Sequence, residues 1–206
     1  MKKIILTAAI AFAISLGVNK TVQAETIGKQ EVSTMLTDVK NIREIEVHGN
    51  VQVYLTSGNT ENVKVYGDYF ADNALVQEQD NVLRITSYNT KTLVVWVTVE
   101  DLAKLSVFDN ASVSSFGKLS AIDLHVTLNN QAVAQLDLDA IDASFTLKER
   151  ASANLTGNVE NGNLQYDATA LLNTGNLTAT NLTQTQSMTP KPVKHFHHIN
   201  PALIVG

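Results

Sequence analysis

The chain contains no cysteine, so no disulfide can cross-link it and no lipidated cysteine can end an export route. Whatever holds the fold must therefore come from buried apolar side chains. Proline is nearly as scarce, and Pro190, Pro192 and Pro201 all fall in the last 17 residues. Because a proline removes a ladder donor, the chain before them is free to form continuous β-structure, and residues 185–206 read as a tail. Glycine is thin too, with Gly117, Gly157, Gly162 and Gly175 expected at turns. A basic stripe is missing, which argues against nucleic acid as a partner. So are a Gly-x-Ser-x-Gly elbow, a phosphate loop and a His-Glu-x-x-His helix, so no standard nucleophile, nucleotide or zinc-hydrolase site is signalled, and no cofactor is implied.

What is present begins with an export signature. Lys2 and Lys3 precede an apolar run from Ile4 to Val18, and Val22-Gln23-Ala24 offers small residues for cleavage. Residues 1–24 thus read as a signal peptide rather than an anchor, since the run is shorter than the roughly 20 residues that span a bilayer. The mature chain is expected in the periplasm or at the cell surface and not to span the membrane. Losing Lys2, Lys3 and Lys20 leaves 12 basic residues against 20 acidic ones, a balance that favours solubility.

The strongest pattern lies between 102 and 182, where apolar residues alternate with Ser, Thr, Asn and Asp. The motif returns about every 19 to 21 residues, the kind of period that stacked repeats produce. Leu105 and Val107 are followed by Leu124, Val126 and Leu128, then by Ala143, Phe145 and Leu147, and more loosely by Leu164 and Tyr166. Period two predicts strands, and a repeat of this length predicts a stacked solenoid in which each rung buries its apolar side on the next. Ala111, Ala132, Ala151 and Ala170 recur where the ribbon bends.

Ahead of the repeats, Ile45 and Val47, a Gly49-Asn50 pair, then Val51, Val53 and Leu55 predict a hairpin. Val63 and Val65 form another strand, Tyr69–Gln79 is expected to be a short helix, and Asp80-Asn81 turns the chain into Val82–Ile85. Leu93–Val99, apolar on both sides, is expected to be covered on both faces. The hairpin region should cap the first rung. At the other end, Ala202-Leu203-Ile204-Val205 is either a loose end or a strand docking on the open end of the stack.

The run Ile45-Glu46-Val47, Val51-Gln52-Val53-Tyr54-Leu55, Val63-Lys64-Val65-Tyr66-Gly67-Asp68, Asp80-Asn81-Val82-Leu83-Arg84-Ile85, Val97-Thr98-Val99-Glu100-Asp101-Leu102 and Leu105-Ser106-Val107 resembles the family described as putative auto-transporter adhesin, head GIN domain. The likeness spans about residues 38–182. It implies an all-β fold, a right-handed parallel β-helix-like solenoid with an antiparallel, sandwich-like start, in an exported protein. It implies no catalytic residues. The family's usual Gly-Ser or Ser-Gly at the bend is replaced here by Asp109-Asn110, Asn129-Asn130 and Glu149-Arg150. The domain is expected over 25–184, with repeats at 102–182.

Three groups of side chains are candidates for chemistry. Asp137, Asp139 and Asp142, with Asp123 one rung earlier, could supply an acid and a base for a glycosidic bond or hold Ca²⁺; the stronger reading is a solvent face, since Asp137 and Asp139 alternate with Leu136 and Leu138. His195, His197 and His198 could ligate a transition metal, or are an accidental cluster in the tail. Trp96 is expected to fill space between layers with Val94, or, if exposed, to bind a sugar ring or a partner protein. The function expected is a non-catalytic adhesin-like binding or scaffold module for a surface polysaccharide or protein, with a β-helical polysaccharide-active enzyme using paired Asp residues as the alternative.

Overall fold

The computed structural model describes residues 33–36, 39–66 and 74–188. Every regular element among them is a strand: β1 (Ser33–Leu36), β2 (Glu44–Gly49), β3 (Val51–Ser57), β4 (Asn62–Tyr66), β5 (Ala74–Gln79), β6 (Val82–Ser87), β7 (Leu93–Val99), β8 (Lys104–Val107), β9 (Ser112–Leu128), β10 (Val133–Leu147), β11 (Ser152–Asp167) and β12 (Leu171–Ser187). All belong to one curled sheet. The expected signal peptide, the three tail histidines and the apolar end lie outside the described residues.

The building unit is a coil made of a strand, a corner and a second strand. The long strands β9 to β12 lie parallel, each offset from the last by one repeat of the sequence pattern, as in Val133 opposite Ser112, Leu147 opposite Tyr166 and Asp167 opposite Ser187. Each coil places the same kind of residue over its neighbour. One inward row runs Leu83, Ile45, Leu105, Val126, Phe145 and Leu164; the next runs Ile85, Val47, Val107, Leu128, Leu147 and Tyr166. On the other arm the row is Val65, Val95, Val53, Val113, Ala134, Ala153 and Leu172. Residues of both arms share one buried cluster, and each fully buried aliphatic or aromatic side chain stabilises it by roughly 1.5–3 kcal/mol before entropy is counted.

The corners repeat as closely as the strands. At each, an i to i+3 backbone bond closes a turn onto a buried alanine: Ala111 to Phe108, Ala132 to Asn129, Ala151 to Lys148 and Ala170 to Asp167, at 3.0–3.2 Å. In the first three the residue after the accepting carbonyl, Asp109, Asn130 or Glu149, takes φ near +60°. That left-handed conformation is what the glycine-bearing family pattern would supply, and here Asp, Asn and Glu adopt it. Corner amides also bond to the corner of the coil before, as in Gln131 N–H to the Asp109 carbonyl at 2.8 Å and Arg150 N–H to the Asn130 carbonyl at 3.0 Å. The ladder thus runs through the bends.

Several expectations are corrected. Gly49-Asn50 is a tighter corner between the two arms, its Asn50 N–H donating to the Ser87 carbonyl of the neighbouring coil, and not a hairpin turn, because β2 pairs in parallel with β6 and β8, and β3 with β7 and β9, never with each other. A reversal after an alternating strand looks the same in sequence whether the two strands pair or separate onto two arms. The hairpin is at Asp80-Asn81, whose φ values of 55° and 66° give the primed turn that joins β5 and β6. The helix expected at Tyr69–Gln79 is, from Ala74 on, strand β5, with Val76 buried and Leu75 exposed in alternation. Gly117, Gly157, Gly162 and Gly175 stand inside long strands rather than at turns. Leu93–Val99 buries only one face, with Val94, Trp96 and Thr98 half-exposed.

The first coils are also out of chain order. The β2–β3 coil sits between β6–β7 and β8–β9, so Ile45 meets Leu83 on one side and Leu105 on the other. Three short antiparallel strands close this end: β5 against β6, β4 against β7 and β1 against β4. At the opposite end β12 pairs, among the described residues, with β11 alone.

Candidate functional site

Because the two faces of a strand alternate, the residues between the buried positions of one arm line up across the sheet. One transverse row reads Lys64, Trp96, Tyr54, Ser114, Gln135, Asn154 and Asn173, each in register with the next. The first four are half-buried and the last three exposed. Tyr54 and Trp96 stack with centroids 4.7 Å apart, and Phe116 meets Trp96 edge-on at 5.5 Å. Lys64 lies 4.8 Å from the centroid of Tyr66, over its ring.

Phe116 reaches this row through a bulge. Between Gln135 opposite Ser114 and Asp137 opposite Lys118, Ser115–Gly117 face a single residue of β10. Gly117 has φ +82° with open space around it, and the Ser115 hydroxyl accepts the Asp137 N–H at 2.8 Å. Such bulges re-aim a side chain; here Phe116 is turned out of the core, 65% exposed. Trp96 accordingly belongs to an outward aromatic group and does not fill space between layers. Nothing local marks Tyr54 in the sequence, whereas Phe116 stands beside a glycine inside an alternating run, which is a bulge signal.

The three aspartates are not brought together. Asp137 is half-buried at the bend, its carboxylate beside Gly157, where a Cβ would lie 2.6 Å from Asp137 Oδ1. Asp139 lines an open groove of about 730 Å³ with Glu100, Asp101, Glu160 and the exposed Ile122 and Ile141. Asp142 lines a second open groove of about 470 Å³ with Asp123, His125 and Asn161. There Asp123, Asp142, Asn161 and Asn181 form a ladder across four strands. Asn161 Nδ2 donates to Asp142 Oδ1 at 3.0 Å, Asn181 Nδ2 donates to Asn161 Oδ1 at 2.9 Å, and Asp123 faces His125 at 3.3 Å. Among the described residues no group of three His, Asp or Glu could hold a metal ion.

On the other arm near the Gly49 corner, His48 stacks on Phe108 at 4.4 Å and meets Glu46 at 2.7 Å, while Arg84 reaches the same Glu46 at 3.5 Å. These groups tie three neighbouring coils together at their surface. Lys104 and Glu44, at 2.6 Å, join two of these coils, β8 and β2, one position earlier on the same face.

Comparisons with known proteins agree with this architecture. The family model described as "Putative auto-transporter adhesin, head GIN domain" matches residues 41–187. A putative lipid binding protein from Parabacteroides distasonis, solved by crystallography, superposes with a TM-score of 0.59 at 10% identity, over 77% of this chain and 79% of that one. A putative adhesin from the same organism gives a TM-score of 0.56 at 18% identity, over 76% and 78%. At these identities the likeness is one of fold. No curated protein matches the sequence.

Proposed function

The chain belongs to the head GIN domain family, and from that premise we propose that it is an exported, non-catalytic binding module that holds a carbohydrate polymer across its outer strand face. The row from Trp96 and Tyr54 to Gln135, Asn154 and Asn173 carries this reading. Aromatic faces are electron-rich and attract the C–H-bearing face of a sugar ring, while exposed carboxamides offer both donors and acceptors to hydroxyls. Strands lie about 4.8 Å apart, so successive positions are spaced on the scale of one sugar ring, and a chain laid across the strands meets aromatics first and amides after. Residues 1–24 are read as the signal peptide, 25–184 as the binding domain, 185–206 as a tail, and the coils as winding in the right-handed sense that parallel crossovers favour. The mature protein then resides in the periplasm or on the cell surface.

A hydrolase reading would use Asp123 and Asp142, which sit in register on adjacent strands. An acid catalyst is ordinarily a carboxyl withdrawn from water, whereas Asp123 is 62% exposed and Asp142 is engaged by the Asn161 amide. Binding is therefore the better reading. A lipid, suggested by the name of one structural neighbour, would find apolar surface at Ile122 and Ile141, but in an open groove that also carries Glu100, Asp101, Asp139 and Glu160 and gives an acyl chain no enclosed cavity.

Glycan-array and polysaccharide pulldown measurements on the exported protein test the proposal. Trp96→Ala with Tyr54→Ala should abolish retention, and Gln135→Ala with Asn154→Ala should weaken it, with folding checked by circular dichroism. Retention unchanged by the aromatic pair, or no glycan retained by the native protein, would overturn it.

A further inference from the structure

The two ends of the stack differ in how they treat unpaired backbone. At the start, the edge strands β1 and β5 are 4 and 6 residues long, and β5 carries Glu78. At the other end β12 runs for 17 residues, Leu171–Ser187, with no charged residue and no proline. Natural edges are normally blunted by shortness, lysine, proline or a covering segment, because an uncovered edge templates another strand. The backbone register shows what β12 offers. The Ser187 carbonyl accepts from Ala168 N–H across the β11 side, so in a parallel ladder Ser187, Thr185 and Thr183 bond to β11 while Gln186, Gln184 and Leu182 turn their N–H and C=O outward.

The amide ladder points the same way. Each carboxamide donates back toward the previous strand, Asn161 to Asp142 and Asn181 to Asn161, which leaves the Asn181 oxygen as an acceptor at the outer end of the ladder. Leu171 and Leu182, 69% and 41% exposed, add apolar surface on each arm.

We infer that this edge is the interface of a symmetric dimer, β12 pairing antiparallel with β12 of a second copy across a two-fold axis at Thr180, close to the middle of the strand. The absence of charge is what selects a second copy. Two like edges in antiparallel contact bring identical surfaces together, and only a neutral strand does so without like-charge repulsion. A two-fold at the strand midpoint lays the first arm of one copy on the second arm of the other, so the stack continues through the axis. A strand of 17 residues is about 55 Å long at roughly 3.3 Å per residue. With a width of about 10 Å it buries on the order of 1,100 Å² in total, within the lower range of specific interfaces. The chain's own tail is a poorer occupant, since Pro190, Pro192 and Pro201 each remove a ladder donor.

The absence of cysteine makes the test clean. The exported protein should sediment as a dimer at micromolar concentration, and Thr180→Cys, at the axis, should cross-link to its own mate under mild oxidation. Thr60→Cys, in the loop before β4, should not. Gln184→Pro removes only an outward N–H, so it should give monomers with an unchanged circular dichroism spectrum; Thr180→Lys should do the same by repulsion. A native protein that is monomeric with Thr180→Cys uncrosslinked would overturn the inference, as would a dimer that survives Gln184→Pro and Thr180→Lys.

Discussion

The coils from β9 onward and the coils before it share one geometry but are assembled in different ways. In the later part β10 lies between β9 and β11, and β11 between β10 and β12, so neighbours in space are neighbours in the chain. In the earlier part Ile45 pairs with Leu83 and Leu105, and several other strands intervene in the chain before either partner is reached. The inward rows pass through both parts without a break, so the coil is defined by its corner and its alternation rather than by chain order. Chain order decides how contacts are acquired. Local rungs can add one after another, whereas the early coils must close long loops before any row is complete.

Truncating the shared inward row should separate the two parts most sharply. Phe145→Ala is expected to cost about 3–5 kcal/mol in urea denaturation and Ile45→Ala about 2–5 kcal/mol. Hydrogen exchange then distinguishes them: Phe145→Ala should expose β10 to β12 first, while Ile45→Ala should loosen β2, β6 and β8 together. Uniform exchange in both variants would dissolve the distinction.

Next in size come glycines at close approaches. A Cβ on Gly157 would lie 2.1 Å from the Leu138 carbonyl oxygen, and one on Gly49 2.1 Å from that of Ser87, with φ at +96° and +82°. Alanine at either position should cost ~3 kcal/mol or more, since a backbone clash adds to the left-handed strain. Gly117 has the same φ as Gly49 but nothing within 4 Å, so Gly117→Ala should cost only about 1–2 kcal/mol. Equal losses at Gly117 and Gly157 would show that conformation, not contact between coils, sets the penalty.

At the corners the sign reverses. Glu149 holds φ +59° in an exposed turn, and Glu149→Gly should stabilise the protein by roughly 0.5–1 kcal/mol, read as a higher denaturation midpoint. Smallest of all, Lys104→Ala removes an ion pair whose side chains are 51% and 27% exposed, worth about 0–1 kcal/mol and less in high salt.

Much of the repeat region was legible because each of its links is local. Period two marks the strands, and recurrence of Ala132 and Ala151 marks the corners. Pairing partners before Leu102 were not legible, since nothing within β2 or β3 says that their neighbours lie whole strands further along the chain. Gly49-Asn50 therefore reads like a hairpin. For the site, Trp96 stood out as the one tryptophan, but a strand apolar on both sides placed it between layers, and its outward company was not legible. Tyr54 reaches it by register and Phe116 by a bulge, both products of tertiary pairing. The aspartates failed for a related reason: neighbours in a strand point to different grooves once the strand bends, and Asp142 finds its hydrogen-bond partner in Asn161 across the ladder.

Corner amides bond from one coil to the next, so the backbone bonds of the stack lie along its long axis and the strands lie across it. A pull along that axis, between β1 and β12, loads one row of bonds at a time and opens it like a zip. A pull directed along the strands loads a whole row together and meets far greater resistance. Under the proposed binding function, the direction from which a tethered glycan tugs on the Trp96 face would set the mechanical strength of the attachment.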